Sequence, residues 1–271
     1  MMTFISTLKT NLLLIMNVLS IDLDYIMWPD INFYNSMLYD SNPTIRWKKM
    51  ESYFKDSEDT KRTYNIDQAN LMFVFNTFLK AIKTCDSASF GYEHDAILYE
   101  LEKEKYTDID LYHIDHHDDF LNGQYGENGE GYEGFAKEYY FIENQHMLDE
   151  GNWGAWLHIQ KKLSSFLWIH NPNVEFSLDQ DRWKYVHDTM KGEFYMHKRG
   201  EVEENIHKVR FDHIFVCLSP QYIPPEHWHY FGMFINAYEE FTGKEANIHV
   251  NKYGRIRSLS PVHDKIVNNY S

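Results

Sequence analysis

Tyr112-His113-Ile114-Asp115-His116-His117-Asp118-Asp119-Phe120 ends a stretch in which the apolar pattern Ile109, Leu111, Ile114 runs straight into five consecutive ionisable residues. Such a run reads as a buried β-strand whose end leaves the core. In extended chain, residues two apart point the same way. Asp115, His117 and Asp119 therefore converge on one point. Two carboxylates and an imidazole form a ligand set that suits a divalent cation such as Mn²⁺ or Zn²⁺.

A buried strand needs neighbours, and the pattern on either side supplies them. Residues 15–26 read as a strand, apolar through Met16, Val18 and Leu19 and then alternating Ile21 and Leu23 with Asp22 and Asp24. Arg210 to Leu218 reads as another, and Phe90-Gly91-Tyr92 as a short strand or turn. Between them, residues 66–83 place Leu71, Phe75, Phe78, Leu79 and Ile82 at helical spacing. Asp95–Lys105, residues 154–169 and Glu226–Thr242 also read as helices. Strands alternating with helices predict an α/β fold with a mostly parallel sheet flanked by helices. No repeat or linker divides the chain, so residues 1–271 are expected to form a single domain, with the last thirty residues peripheral. In parallel sheets functional groups collect at the carboxyl ends of the strands. Here those ends carry Asp22 and Asp24, Asp115 to Asp119, and Ser219 to Gln221, and His94 follows the segment at Phe90.

The formal net charge of −15 argues against a nucleic-acid backbone as main partner, which calls for clustered Lys and Arg. It is compatible with a cationic substrate. Cys85 and Cys217 are the only cysteines, too few for a disulfide framework and in keeping with a reducing, cytoplasmic compartment. The apolar run Asn11–Leu19 is too short to span a bilayer, so no membrane role is expected. Five glycines between 121 and 134 follow the acidic motif and suggest an active-site loop.

Asp22 and Asp24 on their own are as consistent with a cap or turn as with a ligand pair. Joined to Asp115, His117 and Asp119 they make five ligands, four of them carboxylates. That exceeds the needs of one metal and fits two ions sharing bridging carboxylates. His94, where a strand turns into a helix, is ordinarily a cap or surface residue; its place one helix before the Asp115 strand makes it a candidate sixth ligand. His116 and Asp118 should point away from the metals. Asn152-Trp153 reads either as a turn with an anchoring Trp or as a substrate-contacting loop.

Asp115-x-His117-x-Asp119 with the strand-borne Asp22-x-Asp24 resembles the arginase and histone-deacetylase superfamily. The similarity is greatest to its peptide-arginase branch. The segments that carry it are Glu93-His94-Asp95-Ala96-Ile97-Leu98, His113 to Asp119, Asn152-Trp153 and Ile21 to Tyr25, spread over roughly residues 15–225. The resemblance implies a three-layer arginase-like fold and two Mn²⁺ ions. It implies Asp115 and Asp22 as bridging ligands, His94 and Asp119 completing one metal, and His117 and Asp24 the other. Asp119 and His94 are thereby the catalytic candidates, and Asn152, Trp153 and Gln221 the substrate-binding ones. The implied reaction is hydrolysis of an arginine guanidinium, in a peptide or a small guanidino compound, to ornithine and urea. Two positions differ from the arginase pattern. The Asp-x-Asp strand comes first in this chain, and Gln221 stands where a glutamate is expected. Asp115-His116-His117 is also the triplet of the di-manganese phosphoesterases named for that sequence; on that reading both histidines face the site. A non-catalytic metal-binding scaffold is the third possibility.

Overall fold

The computed structural model describes residues 15–27, 43–54, 65–103, 106, 108–120, 151–172 and 194–249. Among these residues, seven strands form one sheet: β1 (Met16–Asp22), β2 (Ser87–Gly91), β3 (Ile109–Asp115), β4 (Leu163–His170), β5 (Phe194–Lys198), β6 (His213–Cys217) and β7 (Asn247–His249). Their order across the sheet is β5-β4-β3-β1-β6-β2-β7. Every pairing between them is parallel. All the carboxyl ends therefore share one edge, and Asp22 of β1 and Asp115 of β3 meet there. Among the described residues, six helices accompany the sheet: α1 (Pro43–Phe54), α2 (Gln68–Ala81), α3 (Ile97–Lys103), α4 (Trp153–Ile159), α5 (Arg199–Ile206) and α6 (His229–Thr242).

The helices split between the two faces, giving three layers. Strand alternation sends Leu19, Ile21, Ile114, Ile214 and Val216 to one face, where they pack with Phe78 of α2, Val202 of α5 and Phe231 and Phe234 of α6. Val18, Leu111, Phe215 and Cys217 line the other face, under Ile97 and Leu101 of α3 and Trp153 and Leu157 of α4. Parallel strands buried on both faces are continuous apolar runs, which is how β6 reads. Helix α2 starts where Asp67 accepts hydrogen bonds from the Ala69 and Asn70 amides at 2.8 and 3.0 Å, a side-chain N-cap that satisfies two otherwise orphaned donors.

Register brings the polar strand ends level. Ile21 lies opposite Ile114, so Asp22 is beside Asp115; Asp22 is also opposite Cys217, and Asp115 opposite His170. The Asp-x-Asp strand, although first in sequence, is the central strand and runs directly alongside the strand of the Asp-x-His-x-Asp motif.

Three sequence expectations are corrected. The first strand ends at Asp22, and Leu23–Ile26 form a 3₁₀ turn capped by the Asp22 carboxylate, which accepts from the Asp24 amide at 3.0 Å. The single helix expected over 154–169 is a short helix followed by strand β4. The extended chain expected to continue to Asp119 stops at Asp115. Beyond it the backbone bends, and Asp119 has φ 53°, in the left-handed region. The glycine-rich segment 121–134 lies outside the described residues.

Candidate metal centre

Two groups of ligand atoms that share Asp115 converge at the carboxyl edge, each mutually within 4.8 Å: His94, His113, Asp115 and Asp119 in the first, and Asp24, Asp115 and His117 in the second; a further group, Asp22, His94 and Cys217, shares His94 with the first. In the first, His94 Nδ1 lies 3.1 Å from a carboxylate oxygen of each of Asp22, Asp115 and Asp119. His113 Nε2 is 3.1 Å from the same Asp115 oxygen, Oδ2, and 3.7 Å from Asp119 Oδ2. In the second, His117 Nδ1 is 3.0 Å from Asp24 Oδ2 and 3.8 Å from Asp115 Oδ1. Asp115 thus offers one oxygen to each of the two groups that share it.

These contacts are close but lack hydrogen-bond geometry. His94 Nδ1, His113 Nε2, Asp115 Oδ2 and Asp24 Oδ2 are all buried without a hydrogen-bond partner. Leaving such an atom unsatisfied costs about 1–3 kcal/mol each. Donors at about 2.1 Å from an octahedral cation stand about 3.0 Å apart, which is the spacing seen here. The cluster has the burial, donor types and spacing to hold a metal ion.

His94 and the carboxylates are held by hydrogen bonds from behind. His94 Nε2 is hydrogen-bonded to Ser20 Oγ at 2.5 Å, which leaves Nδ1 facing the carboxylates. Phe215 stacks on the same ring with 5.9 Å between centroids. Trp153 Nε1 donates to Asp119 Oδ2 at 2.5 Å, and Ser219 Oγ donates to Asp22 Oδ2. The 3₁₀ turn that carries Asp24 is tied down by Asn70 and Asn171, whose amide groups donate to the Tyr25 carbonyl at 3.2 and 2.9 Å. The Asp24 carboxylate also accepts the His116 amide at 3.3 Å, and Asp115 Oδ1 accepts the His117 amide at 2.7 Å. Asp119 and Ser219, both braces or ligands, hold positive φ (53° and 47°), a strained state that collects at functional sites.

Burial and the closeness of carboxylates to imidazoles shift the acid–base balance of the cluster. Burial opposes a charge on His94, but the carboxylates of Asp115, Asp119 and Asp22 outweigh it and hold its pKa well above the usual histidine value. Burial likewise opposes charge on His117, and Asp24 overcomes it, pushing the ring up to about 10. A third of that side chain is exposed, so solvent screens part of the attraction. Burial and the neighbouring Asp115 raise Asp24 to about 6. Asp115 and Asp119 are raised by burial and by their carboxylate neighbours. His113 is the contrast: burial pushes it down to about 3, so it stays a neutral imidazole, the form that ligates metals.

All six proposed ligands, Asp22, Asp24, His94, Asp115, His117 and Asp119, meet at this edge. Asp22 faces His94 through Oδ2, while its Oδ1 accepts the Asp24 amide. Of the substrate-binding candidates, Trp153 is fully buried behind Asp119, and Asn152 is buried at the N-terminus of α4. The anchoring role of the Asn-Trp pair is thus the one visible. Gln221 is buried too, and its amide oxygen accepts from Arg46 of α1 at 3.4 Å. The Arg46 guanidinium also lies 5.7 Å above the Tyr222 ring, and Tyr222 packs on His117 with 4.8 Å between centroids. His116 is buried beside His117, and its ring belongs to neither ligand group among the described residues. His113 joins the first group although the sequence motif assigns it no ligand role. The signal was present, since it stands two residues before Asp115 on the same strand face.

No helix among the described residues is long and apolar enough to cross a membrane. Compared with known proteins, the chain matches no family model, and no curated protein and no solved structure matches it significantly.

Proposed function

We propose that the chain is a binuclear metal-dependent hydrolase of the arginase type, which cleaves the guanidinium of arginine, in a peptide by preference, to ornithine and urea with two Mn²⁺ ions. The observation that carries this reading is Asp115, whose two oxygens face two separate groups of ligand atoms. Two cations held this way supply Lewis acidity and a water acidic enough to act as nucleophile near neutral pH. The chain's residues do the rest. Trp153 and Ser20 fix Asp119 and His94 in single orientations. Asp24 and His117 form the solvent side of the centre, since His117 is its most exposed donor; substrate is expected to arrive there. Buried carboxylates and the net charge of −15 favour a cationic substrate. A planar guanidinium matches a carboxylate by paired hydrogen bonds. Hydrolysis adds water across the C–N bond, so the side-chain nitrogen leaves as the amine and the carbon as urea.

One observation favours a second reading. Arg46 already places a guanidinium beside Gln221 and above Tyr222. A cation in that position suits an anionic substrate group, and the phosphoesterase alternative would use it. Against this, the His116 ring is outside both ligand groups. Assaying the Mn²⁺-loaded protein with arginine-containing peptides and with a phosphodiester separates the two. Urea from the peptides, surviving His116→Ala, is expected; phosphate-ester cleavage lost in His116→Ala, with no urea, would overturn the arginase reading.

A further inference from the structure

We infer that the two halves of this centre are unequal: His113 is a metal ligand of the inner half, which it closes and makes selective for a nitrogen-preferring cation such as Zn²⁺, while the outer half stays open and oxygen-rich. The inference rests on the binuclear metal reading above and goes beyond it in naming a ligand and a division of labour between the two positions.

The inner group has two imidazoles, His94 and His113, with Asp115 and Asp119. All four are buried, His113 completely. Neither ring nitrogen of His113 has a hydrogen-bond partner, although polar atoms in a protein interior almost always have one. Its Nε2 points at the same Asp115 oxygen that His94 faces, at the same 3.1 Å. The ring is clamped in that direction by Trp153, edge-on at 5.4 Å between centroids, and by Phe166 at 5.4 Å. Strand geometry explains the pairing: His113 and Asp115 are two apart on β3 and so face the same side of the sheet, the side on which His94 sits over Phe215.

The outer group has one imidazole and two carboxylates, Asp24, Asp115 and His117. With three protein donors and a partly exposed His117, it retains positions for water and substrate, whereas four buried donors complete a closed site. Imidazole-rich sets suit Zn²⁺, and carboxylate-rich sets suit Mn²⁺. The chain therefore takes up one ion tightly in the inner half and a second weakly in the outer half. The ions differ when both metals are offered.

The test is equilibrium dialysis of the full chain against Zn²⁺ and Mn²⁺, singly and together, with elemental analysis, for wild type, His113→Leu and His113→Asp. Circular dichroism checks that each variant is folded. Wild type is expected to show a tight and a weak step, with Zn²⁺ in the first. His113→Leu is expected to weaken the tight step by more than about 100-fold, beyond the 10–100-fold of a residue acting through another ligand, and to leave the weak step unchanged. His113→Asp, which keeps a donor but exchanges nitrogen for oxygen, is expected to lower the Zn²⁺:Mn²⁺ preference of the tight step at least about tenfold. Two metals bound by wild type with equal affinity, or a tight step and preference unchanged in both variants, would overturn the inference and leave the binuclear reading standing. No metal bound by wild type would overturn both.

Discussion

At Asp24, burial beside Asp115 holds a proton on the carboxyl group up to about pH 6, where an exposed aspartate has long since lost it. His117, facing Asp24 at 3.0 Å, keeps its own proton to about 10. Both folded-state values lie above the ordinary ones. Each group therefore favours the fold fully below its unfolded pKa and loses that contribution as pH rises through the folded value, about 6 for Asp24 and about 10 for His117. A metal ion needs both groups deprotonated, so its effect runs the other way. His113 and His116, which burial holds neutral, act in the opposite sense below about pH 6.5. Calorimetric melts in chelator are therefore expected to give a falling Tm only from about pH 7 upward, as the His117 ring loses its proton. The increase in Tm on adding Mn²⁺ or Zn²⁺ should grow from about pH 5 to 8. A metal-induced increase that is the same at pH 5 and pH 8 would show that these two groups are not ligands.

Between elements, the critical joint is where α4 meets the bend after β3. Gly154 donates its amide to the Asp119 carbonyl at 3.0 Å. A Cβ at Gly154 would sit 2.8 Å from the Phe120 ring and 3.1 Å from that carbonyl. Phe120 is fully buried and cannot swing aside. Gly154→Ala gains up to about 1 kcal/mol of helix propensity, but overpacking a close contact costs about 1–3 kcal/mol. The clash is therefore expected to win, with a net loss of about 1–2 kcal/mol in metal-free denaturant unfolding. Because Trp153 reaches Asp119 from the same helix, metal affinity should fall as well. Unchanged stability and affinity would mean that α4 does not set the position of Asp119.

The same joints explain which parts of the structure were readable in the sequence. The 68–81 helix and the β1, β3 and β6 strands announce themselves by period and by apolar runs, and the candidate ligands Asp115, His117 and Asp119 by their spacing. β4 was hidden. Its Phe166-Leu167-Trp168-Ile169 run has no alternation to separate strand from buried helix. The turn before it is made by Lys161 at φ 55°, where a glycine would have marked the break. His117 and Asp119 face the site as expected, but by a bend after β3 rather than by strand alternation. The sequence assigns His113 no ligand role, because it lies within the strand rather than in the charged run beyond it; the position of His94, with 5.0 Å between the two ring centroids, shows what it faces.

For the molecule as a whole, parallel topology is what makes the centre. Residues separated by up to 97 positions, Asp22 and Asp119 among them, meet because β1 and β3 run side by side in the same direction. A sheet with either strand reversed would carry the acidic groups to opposite edges. The central claim is that this edge holds two cations joined through Asp115. The most direct test is the metal bound by the full chain at equilibrium with saturating Zn²⁺ and Mn²⁺, read as the excess over the free ions in the dialysate, compared between wild type and Asp115→Asn. Two ions per wild-type chain are expected, and fewer than one in the variant, because one carboxylate serves both positions. A wild-type chain that retains no metal, or an Asp115→Asn chain that still holds two, would contradict the account.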